Sequence, residues 1–491
     1  MSPLHGRLTR HPRPADPAIV DDDGRAVTYA QLLARAGALA GSLLGAADNL
    51  GGQPVAFLAP PSAAYVEALL GIVLAGGTAV PLSPLHTAAE LGHVLDDAQP
   101  CRVLASAALV DRLRASAGAR PVEALPPAGA PATPARIATV LPEQPALMLY
   151  TSGTTGRPKG VVHDHAAVAA ALSTLEQAWG WRRDDRLLHV LPLHHTHGVV
   201  VALLGALWAG ARVRFATFAA DRVWDLLADA TVFMAVPTIY AKLVDAFSAT
   251  PARQAAWRAA AAGLRLATSG SAALPAPLFR AFETLTGQRL LERYGMTEIG
   301  MALSNPLAGA RLPGTVGREL PGVVVEITDE SGQPVPPGEP GELRVRSPQM
   351  FSRYHRDPEA TARAFDADDR FLTGDTAVRE PTGAIRLLGR TSVDILKSGG
   401  YKLSALEIED ALRDHPAIAD LAVVGLPDET WGDRITAFVV PHPGTALTLE
   451  ALQTHARDRL APYKLPRDLR LVDALPRNAM GKVMKTLLKS Q

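Results

Sequence analysis

Between Tyr150 and Gly160 the chain reads Tyr-Thr-Ser-Gly-Thr-Thr-Gly-Arg-Pro-Lys-Gly, a run that mixes hydroxyls, glycines and cations. Thr151, Ser152, Thr154 and Thr155 offer hydroxyls, Gly153 and Gly156 free the main chain, and Arg157 and Lys159 add positive charge. Such a loop suits a polyanion: backbone N–H groups and cations can surround oxygens that a Cβ would hold at a distance. It is not the common nucleotide-triphosphatase loop G-x-x-x-x-G-K-[ST], because Gly156 is followed by Arg157, Pro158 and Lys159. A polar surface turn accounts for any half of this run but poorly for the whole.

Other residues further along the chain can act on the same kind of ligand. Tyr294-Gly295-Met296-Thr297-Glu298 ends in a hydroxyl and a carboxylate, and a lone carboxylate suits a hard cation such as Mg²⁺. A Thr-Glu pair also starts many helices, so this pentapeptide alone is a weak signal. Asp375, in Thr373-Gly374-Asp375, and Arg390, after Gly389, are suited to sugar hydroxyls and phosphate oxygens. Arg293 stands at the end of an apolar run, where an unpaired guanidinium is costly; its partner is either a ligand carboxylate or a protein one. His194, His195 and His197 cluster in Leu191 to Gly198, and at least one of them is expected to be structural.

These groups need elements to hold them. Ala146 to Tyr150 reads as a buried strand before the first loop, with a helix from about Ala166. Val55–Leu58, Ala79–Leu82, Arg102–Ala105, Leu187–Leu191, Val232–Val236, Leu264–Ala267 and Arg289–Glu292 are further strand candidates, alternating with helical runs such as Tyr65–Leu74. This predicts α/β layers around parallel sheets, with ligands outside the carboxyl ends of the strands. Pro121 to Pro145, rich in Pro and Ala, is expected to run over the surface. From about Gly314 the pattern changes to Val323–Thr328, Glu342–Ser347 and Ala384–Leu388, joined by Gly/Pro turns, which predicts a β subdomain over 314–389. A compact α/β tail follows, with helices at Leu403–Arg413 and Leu449–Leu460 and strands at Ala419–Val424 and Ile435–Val440.

A chain of 491 residues is too long for one simple core, and its 47% apolar content supports a well-buried globular protein. A formal net charge of zero argues against a dominant nucleic-acid role. The one cysteine, Cys101, excludes an internal disulfide framework, suits a reducing compartment, and is expected to be a small buried side chain. Met1 to Arg13 is basic without an apolar core and is expected to be a short disordered leader, with a crude organellar signal as the alternative. Gly198 to Gly210, the longest apolar stretch, is too short to span a bilayer and reads as a buried helix. A cytoplasmic enzyme without a membrane span is expected.

Together the loop at Tyr150–Gly160, the Tyr-Gly-Met-Thr-Glu segment, Thr373-Gly374-Asp375, Gly389-Arg390 and Pro476-Arg477-Asn478-Ala479-Met480-Gly481-Lys482 resemble the signatures of the adenylate-forming superfamily, and they occur in its order. The resemblance implies an N-terminal AMP-binding domain over 1–389 and a mobile C-terminal α+β lid over 390–491. Its substrates would be ATP with Mg²⁺, a carboxylic acid and coenzyme A. It gives the phosphates to Thr151, Ser152, Gly153, Thr154, Thr155, Gly156 and Lys159, and Mg²⁺ to Glu298 with Thr155. Thr297 would meet the α-phosphate, Tyr294 and the small residues Ser269, Gly270, Ser271 and Ala272 the adenine, and Asp375 and Arg390 the ribose. Lys482 would be the catalytic ammonium, preferred over Lys485 and Lys489, and Ser398-Gly399-Gly400 would line a thiol tunnel.

Within that superfamily the segments Leu191–Gly198, Leu291–Glu298 and Gly389–Lys402 are similar to the malonyl-CoA synthetase branch, which activates malonate and methylmalonate. An apolar residue is typical there at the position of Thr196. A second carboxylate must be paired once desolvated, which singles out Arg293, with His195, His197 and Ser271 as further pocket groups and His195 as a candidate catalytic residue. A short- or medium-chain acyl-CoA synthetase, or an adenylation enzyme loading a carrier protein, is the alternative. The oligomeric state is not legible.

Overall fold

The computed structural model describes residues 2–9, 13–126, 136–151, 158–399, 401–477 and 483–489. Four sheets organise them. A seven-stranded sheet has the parallel strands Val122–Ala124, Arg102–Ala105, Pro54–Leu58, Thr78–Leu82 and Pro145–Thr151 side by side, then Lys159–Asp164 and Arg353–Tyr354 running antiparallel at one edge. The second sheet, of nine strands, has a parallel centre of Pro17–Val20, Arg212–Phe215, Arg186–His189, Val232–Ala235, Leu266–Ser269 and Leu291–Met296. Gly300–Ser304 and Arg318–Glu319 continue it antiparallel.

Each strand predicted in the first three hundred residues forms, and the parallel sheets expected from the βα alternation are present. Helices close over them because their ends are satisfied locally. Asp164 caps His165–Trp179 by accepting from the Ala167 N–H, and Gly180, at φ 55°, ends that helix in the left-handed conformation. The helices Tyr29–Leu44, Ala63–Leu74 and His165–Trp179 share one continuous apolar core with strands of both sheets.

Several expectations change. The chain does not pass from Pro145–Thr151 through a loop into a helix. It returns as the antiparallel strand Lys159–Asp164, with Thr151 opposite Lys159, so the hydroxyl-rich loop joins a hairpin. The strand expected to stop at Glu292 continues to Met296, which puts Arg293, Tyr294 and Gly295 in the sheet rather than in a loop. Cys101 is exposed, not buried. Instead of a disordered leader, Pro3–Thr9 is a helix whose Leu4 and Leu8 enter the main core. The apolar stretch after Gly198 is helical as expected, but its first part, His197–Leu204, is a π-helix.

The β subdomain is a four-stranded antiparallel sheet, Val324–Thr328, Pro340–Arg346, Phe371–Arg379 and Ile385–Arg390. Its third strand, unforeseen in sequence, carries Asp375. The domain boundary expected at 389/390 falls within the last of these strands. Beyond it lies a fourth sheet, in which Ile395–Ser398 and Tyr401–Ser404 form a tight hairpin and Ile418–Asp428 pairs along Gly432–Pro441. The helix expected from Leu403 starts at Ala405, because residues 401–404 are in that hairpin. Among the described residues no helix is long and apolar enough to cross a membrane.

Candidate functional site

Asp375 and Arg390 face one another in register on adjacent antiparallel strands. The Arg390 Nε lies 3.1 Å from Asp375 Oδ1, and the hydroxyl of Tyr294 donates to Asp375 Oδ2 at 2.5 Å. Arg390 Nη1 also donates to the Thr373 carbonyl, while the Asp375 N–H donates to the Thr373 hydroxyl. Three residues from two sheets are thus locked before any ligand arrives. Tyr294 is buried, and burial together with the Asp375 charge raises its phenol well above the ordinary range. It therefore holds the carboxylate as a neutral donor, where the sequence suggested a surface for adenine.

One residue earlier on the same strand the situation reverses. Arg293 is 3% exposed, and its Nε and Nη2 have no hydrogen-bond partner. Among the described residues no carboxylate lies within ion-pair distance of it, so the protein-carboxylate alternative falls away. Burial alone pushes its pKa down to about 10, so it is still charged near neutral pH. Gly270 makes room for it: a Cβ there would stand 2.3 Å from the guanidinium carbon.

Beside it, Ser271 adopts φ +69°, a conformation uncommon for a residue with a side chain, and its Oγ lies 3.3 Å from His197 Nδ1. The His197 Nε2 has no partner. Burial first and the Arg293 charge second hold His197 well below the usual imidazole range, so it is neutral. The His195 ring centre lies 4.0 Å from that of His194, tilted by 44°, and the His194 ring lies 5.1 Å from His86. Burial brings His195 down to about 4, which makes it a neutral hydrogen-bonding group near pH 7. His189, down at about 4 through burial, bonds the Gly198 carbonyl at 2.9 Å and is structural. Thr196, the departure from the apolar residue expected there, donates to the Thr297 hydroxyl at 3.2 Å and so ties the histidine loop to the Thr-Glu segment.

Glu298 is buried, and its carboxylate accepts a hydrogen bond from Tyr354 Oη at 3.1 Å. No cation lies within ion-pair distance of it among the described residues, and burial raises its pKa. A desolvated carboxylate short of positive charge fits Mg²⁺, which commonly takes one or two protein oxygens and completes its shell with water and substrate phosphates. Among the described residues no group of three or more His, Cys, Asp or Glu gathers to cage a metal. Lys159 lies over the Tyr354 ring at 5.2 Å and bonds Asp357 at 3.2 Å. Tyr354 and Asp357 had no signal in sequence, because only the pairing of Arg353–Tyr354 with Lys159–Asp164 brings them here.

Thr151 ends its strand beside Lys159, and Ser269 ends the strand Leu266–Ser269 with its hydroxyl buried and unpartnered. Ala272 follows Ser271 on the same turn. Ser398 and Gly399 belong to the tail hairpin, Gly399 at φ +58°. Ser152, Gly153, Thr154, Thr155, Gly156, Gly400 and Lys482 lie outside the described residues. Lys485, rejected in sequence as the mobile ammonium, is buried between Asp394 and Glu409.

The profile of the AMP-binding enzyme family matches residues 8–355, and that of the AMP-binding enzyme C-terminal domain matches residues 407–482. The chain belongs to the AMP-binding enzyme family. It is 45% identical over 516 aligned residues to the mitochondrial malonate–CoA ligase of Homo sapiens, covering 96% of this chain and 89% of that relative. It is 40% identical to the malonate–CoA ligase of Arabidopsis thaliana, over 90% and 78% of the two chains. Its fold matches the crystal structure of ATP-bound MatB from Rhodopseudomonas palustris with a TM-score of 0.91 at 36% identity, over 100% and 99% of the two chains. A malonyl-CoA ligase ternary complex with methylmalonyl-CoA and AMP gives a TM-score of 0.71 at 39% identity, over 97% and 100%.

Proposed function

We propose that this protein is an AMP-forming malonate–CoA ligase that also accepts methylmalonate, uses ATP with Mg²⁺, and works through an acyl-adenylate. The observation that carries the choice of acid is Arg293, a buried, charged guanidinium left without a carboxylate. Burying an unpaired charge costs several kcal/mol, and a carboxylate arriving with the substrate removes that penalty. A neutral short acid leaves it in place. The unpartnered His197 Nε2 and the strained Ser271 stand ready to add donors around the same oxygens.

In the first step an oxygen of the reacting carboxylate attacks the α-phosphorus of ATP, and the bond to pyrophosphate breaks with its electron pair leaving on pyrophosphate. Thr297, steadied by Thr196, donates towards the α-phosphate, and the Asp375–Arg390 pair grips the ribose. Mg²⁺, when held by Glu298 and the phosphates, offsets the charge on the departing oxygens. Lys482 supplies an ammonium to the crowded phosphorus. In the second step the coenzyme A thiolate attacks the acyl carbonyl and AMP leaves.

The two steps need different surroundings, one sealed against water and one open to a second nucleophile. Residues 1–389 and 390–491 are read as the two bodies that rearrange between them. Supporting this, the chain fits an ATP-bound relative much better than a product complex of similar sequence identity. A reducing compartment suits the single exposed cysteine, and we take it to be the cytoplasm; fractionation of the native host checks this, since the human relative is named mitochondrial.

The test of the acid is a panel of malonate, methylmalonate, acetate and octanoate with ATP and coenzyme A, read as AMP release. Malonate should lead for the native protein, and Arg293→Ala should remove that lead. Equal losses on every acid would end the distal-carboxylate role.

A further inference from the structure

The tail that follows the Pro476–Lys482 motif contains a group of buried charges that the proposed chemistry does not use. Lys485 is 8% exposed, and its ammonium lies 2.6 Å from Asp394 Oδ1 and 2.7 Å from Glu409 Oε1. Both carboxylates are buried as well. The same Glu409 oxygen accepts from the Val423 N–H, and Asp394 Oδ2 accepts from the Arg390 N–H at 3.0 Å. The Asp394 carbonyl accepts from Ala405, the first residue of the helix that carries Glu409. Lys485 therefore joins three elements of the tail: the segment leaving Arg390, the helix Ala405–Leu412 and the strand Ile418–Asp428. The two carboxylates raise its pKa despite burial, so it is a cation throughout the physiological range.

The chain on either side of residues 478–482 is fastened too. Arg477 bridges antiparallel to Val483, Met484 donates its N–H to the Pro476 carbonyl, and Arg477 pairs with Asp420 at 2.5 Å. Leu475 and Leu488 are packed in one small core with Val424, Leu426 and Phe438. The motif thus leaves and rejoins the body over a two-stranded stem, and Lys485 is the stem's one deeply buried ionic anchor among the described residues.

We infer that Lys485 is a positioning residue for adenylation: by bridging Asp394 and Glu409 it holds the base of the 478–482 segment in fixed register with the Arg390 segment. This rests on the assignment of Lys482 as the adenylation ammonium. An ammonium contributes to adenylation only if it is placed within a fraction of an ångström of the transition state, whereas the thiol step is read as proceeding without Lys482. Loosening the stem should harm the first half-reaction and spare the second. A purely structural ion cluster would harm both.

The experiment measures malonate-dependent ATP–pyrophosphate exchange and, separately, thioester formation from supplied malonyl-adenylate and coenzyme A, for the full-length native protein and for Lys482→Ala, Lys485→Met, Lys485→Arg and Glu409→Gln. Lys485→Met should lose at least roughly 20-fold in exchange and less than about 3-fold in thioester formation, while Lys485→Arg keeps most of both. Glu409→Gln, which leaves Asp394 in place, should show the same split with a smaller loss and decides the matter if Lys485→Met does not fold. Equal losses in the two half-reactions, or full exchange activity in Lys485→Met, would overturn the inference. Exchange surviving in Lys482→Ala would instead remove the assignment beneath it.

Discussion

Neighbouring residues of one strand face opposite fates. Tyr294 points to a pair, Asp375 and Arg390, whose hydrogen bonds are already made within the protein. Arg293, one position back, reaches a pocket where its own Nε and Nη2 and the His197 Nε2 are buried without partners. In the first region the polar groups are already bonded to one another. In the second they are not, which is why the proposed substrate is one that brings a second carboxylate. Unsatisfied buried polar groups are rare in native proteins, so a cluster of them in one pocket says more about specificity than the well-bonded site does.

That contrast breaks most easily at Arg293. Arg293→Ala should cut kcat/KM for malonate by about 100-fold or more and leave acetate within about 3-fold, in keeping with the loss of a buried charge pair. A similar fall for both acids would make the pocket structural. Next in size, Asp375→Asn removes one arm of the bonded pair, and the KM for ATP should rise by roughly 30-fold with the order of acid preference unchanged. A change in acid preference instead would mean that the two regions are coupled.

Acid should act on the histidine-lined side. His163 and His189 both have pKa values lowered to about 4 by burial, against an ordinary 6.5 in the unfolded chain. The folded protein keeps these rings neutral where the unfolded chain already takes protons, so protonation favours unfolding. Their contribution is complete above pH 6.5 and is lost as the pH falls from 6.5 towards 4, at about 1.4 kcal/mol per pH unit for each ring. Urea midpoints for the native protein and His189→Gln between pH 7 and 5 should therefore converge as the pH falls. Parallel curves would place the acid sensitivity elsewhere. The smallest effect expected is that of Tyr354→Phe, which removes the tyrosine's hydrogen bond to the Glu298 carboxylate and should shift half-saturating Mg²⁺ by about 3-fold. No shift would separate Tyr354 from the carboxylate proposed to hold Mg²⁺.

Much of this was legible in the chain itself. Short apolar runs such as Arg102–Ala105 and Val232–Ala235 became strands because their patterning and flanking turn residues agree. Glu298, Asp375 and Arg390 were singled out because their charges suit a hard cation and sugar or phosphate oxygens, and Arg293 because a guanidinium ending an apolar run needs a partner. Local patterning could not show where a strand pairs. It gave no reason for Lys159 to start a returning strand, or for Tyr354 to lie beside Glu298. Nor could it separate Lys485, which differs from Lys482 only by three positions, from a solvated tail lysine.

Residue types and spacing pointed to a polyanion held by an α/β protein, because each motif carries its donors within a few residues, and the resemblance of those motifs to a family added the carboxylic acid and the two-part organisation. Which charges were already satisfied, at Asp375 and Lys485, and which were left wanting, at Arg293, was decided only by the tertiary structure. Partnership between buried groups depends on strands and helices far apart in the chain, and the free energy of a buried charge depends on who its neighbours are.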